Sequence, residues 1–165
     1  MTAMSGRLAN LLADRPQVAD HKPWPRYEVD DQTWSEIGQA LGEGGGDLLS
    51  LWGEKDAVHL ALSVAGRSSP CVISLRVRNE TFPSIARHHA PAIRLERAVR
   101  DIYGHAAIGT PDRRPWIDHG AWGIRAPLGS RPPQGRRDPA AYDFLPVRGE
   151  GLHQIPVGPV HAGII

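Results

Sequence analysis

Along residues 30–41, apolar residues recur every three or four positions among polar ones, which is typical of an amphipathic helix. Trp34 and Ile37 are one helical turn apart, and a further apolar residue follows on the next turn, so these side chains share one face. Thr33 stands three positions before Glu36, which is the spacing of a capping box. The pattern predicts a helix in this segment, with the capping box near its start and one face packed on a core.

Three shorter apolar runs follow, at residues 47–53, 57–64 and 71–77. The link between the first two runs is of hairpin length, and each run has the length and composition of a strand. In the third run, Ser74 and Arg76 alternate with apolar residues, which is the pattern of a strand with one buried face. Three consecutive strands with short connections predict an antiparallel meander.

Two further helices are predicted after the strands. Residues 81–89 are a candidate short helix with Pro83 in its first turn, where proline is tolerated. Residues 91–103 place apolar and charged side chains on different faces, as an amphipathic helix does. Gly104 directly follows this segment and is predicted to end the helix as a left-handed cap.

Glycine and proline divide the chain into two unequal parts. Of the 18 glycines and 15 prolines, the majority lie in the shorter part that begins at Gly104. Such frequent interruption excludes long helices and central strands there. The sequence therefore predicts an α+β fold, with a small, mainly antiparallel sheet packed by helices and an irregular, extended C-terminal arm.

Composition and charge exclude several classes of protein. The 165 residues carry 19 basic and 18 acidic side chains, so they lack the basic excess of a nucleic-acid-binding protein. No apolar run approaches the ~20 residues that span a bilayer, and residues 1–13 lack the apolar region of a signal peptide. The single cysteine, Cys71, opens an apolar strand and is predicted to be a buried, unreactive thiol. These features predict a cytoplasmic protein.

Several short segments, in order, resemble the signature of the 30 kDa subunit family of respiratory complex I, the NADH dehydrogenase of the respiratory chain. The most specific part is a Glu-Arg block in residues 95–104 that ends on an Asp-aromatic-Gly pattern, followed by Pro111, Asp112 and Arg114 in a Pro-Asp-x-Arg pattern. The resemblance covers roughly residues 47–128. The segments that carry it are 82–85, 91–92, 95–104, 109–114 and 127–128.

The chain departs from the stand-alone respiratory subunit after this block. Thr110 replaces the usual histidine, residues 116–122 are unlike that subunit, and residues 129–133 replace its expected ending. These features resemble the branch in which the domain is fused to the front of the large subunit of a membrane-bound nickel–iron hydrogenase of the formate hydrogenlyase type. Residues 145–165 resemble the opening of that large subunit.

A loop near the end of the chain supports the resemblance to a fused large subunit. The residues that match the large-subunit loop are Gly158, Pro159, His161 and Gly163. In the quinone-reducing relatives the histidine of this loop projects into the quinone pocket, and His161 matches that position. The cysteines that would hold nickel and iron are not among these residues, and the chain is expected to be a piece of a longer protein.

The resemblance implies a three-part organisation. Residues 1–128 are predicted to form an α+β domain like the complex I protein, and residues 129–144 a linker rich in proline, glycine and arginine. Residues 145–165 are predicted to begin the large-subunit segment.

The resemblance also implies a non-catalytic assembly or docking domain of a multi-subunit oxidoreductase, either the large subunit of a group 4 hydrogenase or a relative of the respiratory subunit in an NADH–quinone oxidoreductase. It implies no catalytic, cofactor-binding or metal-binding residue in this chain. Nickel–iron and iron–sulfur centres, and any quinone, belong to the parent complex. The expected partners are the large subunit and the iron–sulfur subunits, at the inner face of the plasma membrane and without insertion into it. The residues expected at the docking site are Glu96, Arg97, Arg100, Asp101, Tyr103, Pro111, Asp112, Arg114 and Trp116.

Four of these residues form a charge pattern on the second predicted amphipathic helix. Glu96 and Arg100 are four positions apart, as are Arg97 and Asp101, so each pair shares a helical face. Local pairs of this kind are typical of a solvated or a docking face. The resemblance favours docking, since this helix leads into the arm.

The arm itself carries aromatic and basic residues with two interpretations. Trp116, Trp122 and Tyr142 either fold back on the domain or anchor a partner, for which tryptophan and tyrosine are well suited. The arginines of residues 131–137 are typical of a solvated linker. Residues 129–141 are predicted to be poorly ordered in the isolated chain.

Two other classes of function stay open at the level of sequence. One is a self-contained small hydrolase or metalloenzyme with a site built from His105, Asp112, Asp118 and His119, although their spacing matches no metal-binding pattern. The other is a protein-binding module outside redox metabolism, which only the resemblance separates from the docking domain.

Overall fold

A computed structural model describes residues 6–13, 15–64, 66–130, 135 and 147–153. A 3-10 turn at Ala90–Ala92 leads into the third helix. The helices and strands, in chain order, are α1 (Gly6–Ala13), β1 (Arg26–Val29), α2 (Asp31–Gly42), β2 (Gly46–Gly53), β3 (Ala57–Val64), β4 (Cys71–Arg76), β5 (Thr81–Pro83), α3 (Ile93–Tyr103) and β6 (Ala106–Ile108).

The main sheet has four strands in the order β1-β4-β3-β2. Strands β2, β3 and β4 pair antiparallel in sequence order, which confirms the predicted meander. Strand β1 joins the other side of β4 in parallel, with Tyr27 opposite Ile73, and the sequence did not predict this strand. A separate parallel pair is formed by β5 and β6. The predicted α+β class, with a mainly antiparallel sheet, is confirmed.

The core lies between one face of the main sheet and the helices. It draws apolar side chains from every layer, among them Leu8 of α1, Trp34 of α2, Leu60 of β3, Ile73 of β4 and Val99 of α3. Each of these side chains is almost completely removed from water. The apolar stripe of α2 therefore packs as its periodicity predicted.

The start of α2 differs from the prediction. Asp30 is the N-cap residue, and its carboxylate accepts the backbone N–H of Thr33 at 2.7 Å. The predicted capping box of Thr33 and Glu36 is wrong, because Thr33 already lies inside the helix and Glu36 accepts a hydrogen bond from Gln32. An aspartate caps as well as a threonine does, and Asp30 directly precedes the first residue of the helix.

Strand β4 is buried on both faces, so the predicted half-buried strand is wrong. The side chains of Val72 and Ser74 are nearly as inaccessible as those of Cys71 and Ile73 on the core face. The reason is the central position of β4, since side chains of β1 and β3 flank its outer face. The prediction of a buried Cys71 is confirmed, and burial raises the pKa of its thiol.

The segment between β4 and α3 also differs from the prediction. Thr81–Pro83 is a strand instead of the first turn of a helix, and the backbone N–H of Ser84 continues its pairing by donating to the carbonyl of Ile108. Pro83 is tolerated because it lies in a short outer strand. The predicted end of α3 is confirmed, because Gly104 adopts a left-handed conformation with φ at 83°.

Beyond β6, residues 109–130 contain no helix or strand but are packed against the domain. The backbone N–H of Leu128 donates to the carbonyl of Ile102, and the Ser130 hydroxyl donates to the carbonyl of Lys55. Gly129 approaches so closely that an added Cβ would lie 2.6 Å from the Tyr103 carbonyl oxygen. This part of the arm is irregular, as predicted, but it folds back instead of extending.

The predictions for the remainder of the arm fall mainly on residues outside those described, namely most of the linker and two thirds of the large-subunit segment. They stay predictions. In the part of the chain that the structure describes, no helix is both long enough and apolar enough to cross a membrane.

Candidate docking site on the third helix

The carboxylate of Glu96 lies on α3 but binds the turn that follows β5. Its Oε1 accepts the backbone N–H groups of Ile85 and Ala86 at 2.6 and 3.0 Å. Its Oε2 accepts the Ser84 hydroxyl at 2.8 Å. Burial raises the pKa of Glu96, and these hydrogen bonds oppose the rise. The side chain fastens the turn to the helix instead of pairing with Arg100.

Arg97 is the helix residue that binds the segment after β6. Its Nε and Nη2 donate to the carbonyls of Arg114 and Pro115 at 2.8 and 2.6 Å. Its Nη1 donates to the carboxylate of Asp112 at 3.0 Å. Because the side chain is nearly buried and water cannot reach it, these acceptors satisfy the N–H groups of its guanidinium. Arg97 is an internal anchor for residues 112–115.

Asp112 is shared between two guanidinium groups. Its Oδ2 lies 3.0 Å from Nη1 of Arg97 and 2.8 Å from Nη2 of Arg114, and its Oδ1 accepts the backbone N–H of Arg114 at 2.9 Å. Hydrogen bonds from Arg114, together with the charge of Arg97, lower the pKa of Asp112 to about 2. The ionised carboxylate therefore holds the Arg114 guanidinium in place at the surface.

Arg100 and Asp101 bind the same segment from the next turn of α3. The buried Oδ2 of Asp101 accepts the backbone N–H groups of Trp116 and Ile117 at 2.7 and 2.8 Å. Arg100 donates through Nη1 to the carbonyl of Arg113. Hydrogen bonds that involve a charged group are about twice as strong as neutral ones. The helix therefore fixes the backbone of a segment that has no regular structure.

Trp116 is oriented by arginines of the helix and remains open to solvent. The Cζ atoms of Arg94 and Arg97 lie 5.3 and 5.2 Å from the centroid of its ring, which is cation–π geometry. The side chain of Trp116 is 43% exposed, and that of Ile117 is 42% exposed. These residues are part of what we call the arginine–tryptophan surface. Its members are Arg94, Arg100, Arg113, Arg114, Trp116 and Ile117.

The local ion pairs predicted along α3 are wrong. Glu96, Arg97 and Asp101 are all buried, and each binds groups far away in the sequence. Many of these partners are backbone N–H and carbonyl groups that would otherwise be buried without a hydrogen bond, and a buried charge is stabilised well by such groups. The docking role of these three residues stays a prediction, and their direct contacts are inside the chain.

Two other predicted docking residues have different surroundings. Tyr103 stacks on His105 with ring centroids 6.1 Å apart, and it covers Gly53, where an added Cβ would lie 2.7 Å from its ring. Tyr103 is therefore partly used in internal packing. Pro111 is exposed at the start of the segment that Arg97 holds.

The arm aromatics divide between the two interpretations left open by the sequence. The exposed ring of Trp116 is available to a partner, whereas Trp122 is half-buried and its backbone N–H donates to Asp118 at 3.1 Å. Tyr142 and the loop residues Gly158, Pro159, His161 and Gly163 lie outside the described residues.

A buried polar network on the main sheet was not singled out from the sequence. Nδ1 of His59 lies 2.8 Å from the Ser74 hydroxyl, which also accepts Nε of Arg26 at 2.7 Å. Nε2 of His59 lies 3.5 Å from the carboxylate of Glu54, and the ring stacks on Trp52 at 5.2 Å. Burial lowers the pKa of His59 and favours the neutral ring. The sequence signal for this network is that His59 and Ser74 are polar residues within otherwise largely apolar strands.

This network resembles a nucleophilic triad in its order of groups but not in its chemistry. A cleft of about 710 Å³ lies beside it and is lined by Ser74, Arg26 and Glu54, together with further residues of both charges. His59 is completely buried, and the Ser74 oxygen accepts a hydrogen bond from Arg26. A nucleophilic serine needs an exposed oxygen activated by its base. The contacts of Ser74 instead stabilise a structural hydroxyl.

The residues of the alternative enzyme site each bind a different group. His105 Nε2 lies 2.9 Å from the carbonyl of Glu54, and Asp112 binds arginines. Asp118 accepts the backbone N–H of Gly120 at 2.9 Å, and His119 Nε2 lies 3.3 Å from the Trp116 carbonyl. Among the residues that the structure describes, no three His, Cys, Asp or Glu side chains are grouped in a way that could hold a metal ion.

No protein-family model matches the chain, but two curated proteins of Escherichia coli (strain K12) do. Hydrogenase-4 component G is 29% identical over 120 residues, or 64% of this chain, and formate hydrogenlyase subunit 5 is 29% identical over 136 residues, or 71%. The predicted resemblance is confirmed. The matches span 21% and 24% of the two relatives, so this chain corresponds to a minor part of each.

Two solved structures are also similar to the chain. A trypsin-resistant fragment of Nqo5 is 20% identical, covers 64% of this chain and 95% of the fragment, and has a TM-score of 0.49. A chain of the membrane-bound sulfane sulfur reductase, an archaeal respiratory membrane complex, is 15% identical, covers 67% of this chain and 74% of its own length, and has a TM-score of 0.49. The relation to hydrogenase subunits rests on the sequence matches.

Proposed function

We propose that this chain is a non-catalytic assembly domain of a hydrogenase or complex I-type oxidoreductase, and that it docks on companion subunits through the arginine–tryptophan surface. Its similarity to a hydrogenase component and a formate hydrogenlyase subunit supports the class of complex. The observation that carries the docking role is that buried Arg97 and Asp101 hold residues 112–117 in a fixed arrangement while leaving Trp116 exposed. A fixed, exposed tryptophan is a typical binding anchor.

In this proposal the redox chemistry belongs to the companion subunits. The partners are the large subunit and the iron–sulfur subunits, which would carry the nickel–iron or iron–sulfur centres and any quinone site. The domain supports electron transfer by keeping these subunits together at the cytoplasmic face of the membrane. The buried charged residues of α3, Glu96, Arg97 and Asp101, serve this role indirectly, because their side chains bind groups inside the chain.

The experiment is a co-purification of the affinity-tagged protein from its own cells, with the co-purifying subunits identified by mass spectrometry. Trp116→Ala is expected to reduce the recovery of those subunits at least about tenfold, since truncating a central aromatic anchor typically costs about 2 kcal/mol or more. Trp24→Ala is the matched control, because Trp24 is 42% exposed but lies outside the arginine–tryptophan surface. Circular dichroism and thermal unfolding of both variants verify that the fold is retained.

Two outcomes contradict the proposal. One is purification of the wild-type protein without any redox subunit, from cells in which the whole complex is expressed. The other is turnover of a redox or hydrolytic substrate by the purified chain alone, which would return the alternative enzyme hypothesis.

A further inference from the structure

The exposed charges on and after α3 have a single sign. Between residues 93 and 117, the exposed charged side chains are all arginines, whereas the carboxylates of Glu96 and Asp101 are buried and that of Asp112 is only 16% exposed. The chain as a whole is nearly neutral, at +1. A local cationic surface therefore arises by folding, because the acidic partners turn inward. The exposed arginines are Arg94, Arg100, Arg113 and Arg114.

Several of these guanidinium groups are held in place. Arg100 donates to the carbonyl of Arg113, and Arg114 binds Asp112 through Nε and Nη2 at 3.0 and 2.8 Å. The guanidinium of Arg94 is positioned over the ring of Trp116. A planar guanidinium whose position is already fixed binds a carboxylate with little further loss of side-chain entropy.

We propose that the arginine–tryptophan surface binds an acidic surface of a companion subunit, with Trp116 as the apolar anchor and the arginines pairing with Asp and Glu side chains around it. This inference rests on the proposed docking function and adds the chemistry of the partner. Charge complementarity of this kind steers association and excludes partners of the same charge. Tryptophan together with arginine is also the composition expected at the centre of an interface.

A protein partner explains the fixed geometry better than an anionic membrane does. Positions set by Asp112 and by backbone carbonyls select carboxylates at matching positions. A lipid surface requires only positive charge, which mobile side chains supply equally well.

Charge reversal tests the proposal without cutting an internal bond of the segment. Among the described residues, the Arg113 side chain has no hydrogen bond or ion pair, so Arg113→Glu changes the surface and leaves the anchors of residues 112–117 intact. It is expected to lower the recovery of companion subunits at least about tenfold at low salt, and the difference from the wild type is expected to shrink as salt screens the charges. Arg78→Glu, an equal change of charge at an exposed position outside the surface, is expected to leave recovery unchanged.

A zero-length cross-link identifies the partner groups directly. The sequence contains only two lysines, Lys22 and Lys55, and neither lies in the arginine–tryptophan surface. Arg113→Lys keeps the charge and introduces an amine that a carbodiimide couples to a carboxylate in contact with it. The expected product joins position 113 to an Asp or Glu of a companion subunit, and Arg78→Lys is expected to give no such product.

The outcomes separate this inference from the proposed function. Normal recovery of the subunits with Arg113→Glu, and no cross-link from Arg113→Lys, would overturn the acidic partner while the docking function stands. Failure of the wild-type protein to recover any redox subunit would overturn both. A third outcome is that the purified protein floats with phosphatidylglycerol vesicles, and that Arg113→Glu abolishes flotation but leaves subunit recovery unaffected. That outcome would assign the surface to the membrane and overturn the protein partner.

Discussion

The Oδ2 atom of Asp101 lies 2.7 Å from the backbone nitrogen of Trp116. This hydrogen bond joins the last turn of α3 to a segment that contains no helix or strand of its own. The exposed tryptophan therefore owes its position to a buried carboxylate on α3. A substitution that weakens this contact is therefore expected to disturb the proposed docking surface as well.

Removing the acceptor at position 101 is expected to release the segment. Asp101→Ala leaves the backbone N–H groups of Trp116 and Ile117 without this acceptor and should lower the free energy of unfolding by about 2–4 kcal/mol. Asp101→Asn keeps an amide oxygen as acceptor and should cost about 1 kcal/mol. Urea unfolding measures both, and trypsin cleavage after Arg113 reports the local release. Equal cleavage of wild type and Asp101→Ala would refute the role of this carboxylate.

Glu96 makes stability depend on pH in the opposite direction from an ordinary ion-paired carboxylate. Because burial raises its pKa, the folded state retains the proton above the ordinary value of 4.5, where the unfolded state has lost it. Stability is therefore expected to fall as pH rises from 4.5 through the folded-state pKa. Glu96→Gln keeps the shape and most hydrogen bonds and should remove this slope. Denaturant titrations of both proteins between pH 4.5 and 7.5 provide the comparison, and parallel curves would contradict the prediction.

Asp112 is expected to contribute to acid unfolding. Its pKa falls from 3.8 to about 2 in the folded protein, so the stability it supplies is present above about pH 4 and is lost as pH falls toward 2. With allowance for solvent screening at this partly accessible site, the contribution is about 1–2 kcal/mol. Asp112→Asn should flatten the stability profile between pH 4 and 2, measured by thermal unfolding. Asp47→Asn, the same change of side chain at an exposed position, serves as the control.

His59 is expected to destabilise the fold at mildly acidic pH. Burial lowers its pKa from 6.5, so the unfolded state takes up a proton below pH 6.5 that the folded state resists. Stability should therefore decline as pH falls from 6.5 toward the folded-state pKa. His59→Gln should show a smaller decline, at a cost of about 1–3 kcal/mol at pH 7 from the lost contacts with Ser74 and Trp52. A nuclear magnetic resonance titration showing His59 protonated above pH 6.5 in the native state would rule this out, and the exposed His88→Gln is the matched control.

Local periodicity was sufficient to predict the elements that depend on their own sequence. Strand β3 and the apolar face of α2 were found because the pattern of apolar residues matches the period of a strand or a helix. The end of α3 was found because Gly104 supplies a left-handed cap that other residues adopt with strain. These features need no knowledge of the rest of the chain.

Features that depend on distant partners could not be predicted in this way. Strand β1 is only four residues long, and its pairing with β4 brings together segments that are far apart in the sequence. Proline is tolerated both in the first turn of a helix and in an outer strand, so Pro83 alone did not distinguish the two. The strand forms because Pro83 pairs with Ile108, which is distant in the sequence. The burial of Ser74 follows from the same parallel pairing, which places a neighbour on each side of β4.

The candidate site shows the same limit in its electrostatics. Spacing along α3 correctly grouped the charged residues but assigned them to each other, since a helix in isolation offers no other partners. In the folded chain, Glu96 and Asp101 each find two backbone N–H groups on neighbouring segments. The resemblance placed predicted docking residues in the arm, and the three-dimensional structure shows which of them face outward.

The parallel pairing of β1 with β4 has a consequence for the way the chain reaches its native state. The meander of β2, β3 and β4 joins neighbours in sequence and can assemble early, whereas β1 must close a loop that contains α2 and two strands. During synthesis on the ribosome, β1 emerges first but has to wait for the last strand of the sheet. After β4 has emerged and until β1 pairs with it, this edge of β4 is open, and strand exchange between nascent copies at the edge is the misassembly to be expected.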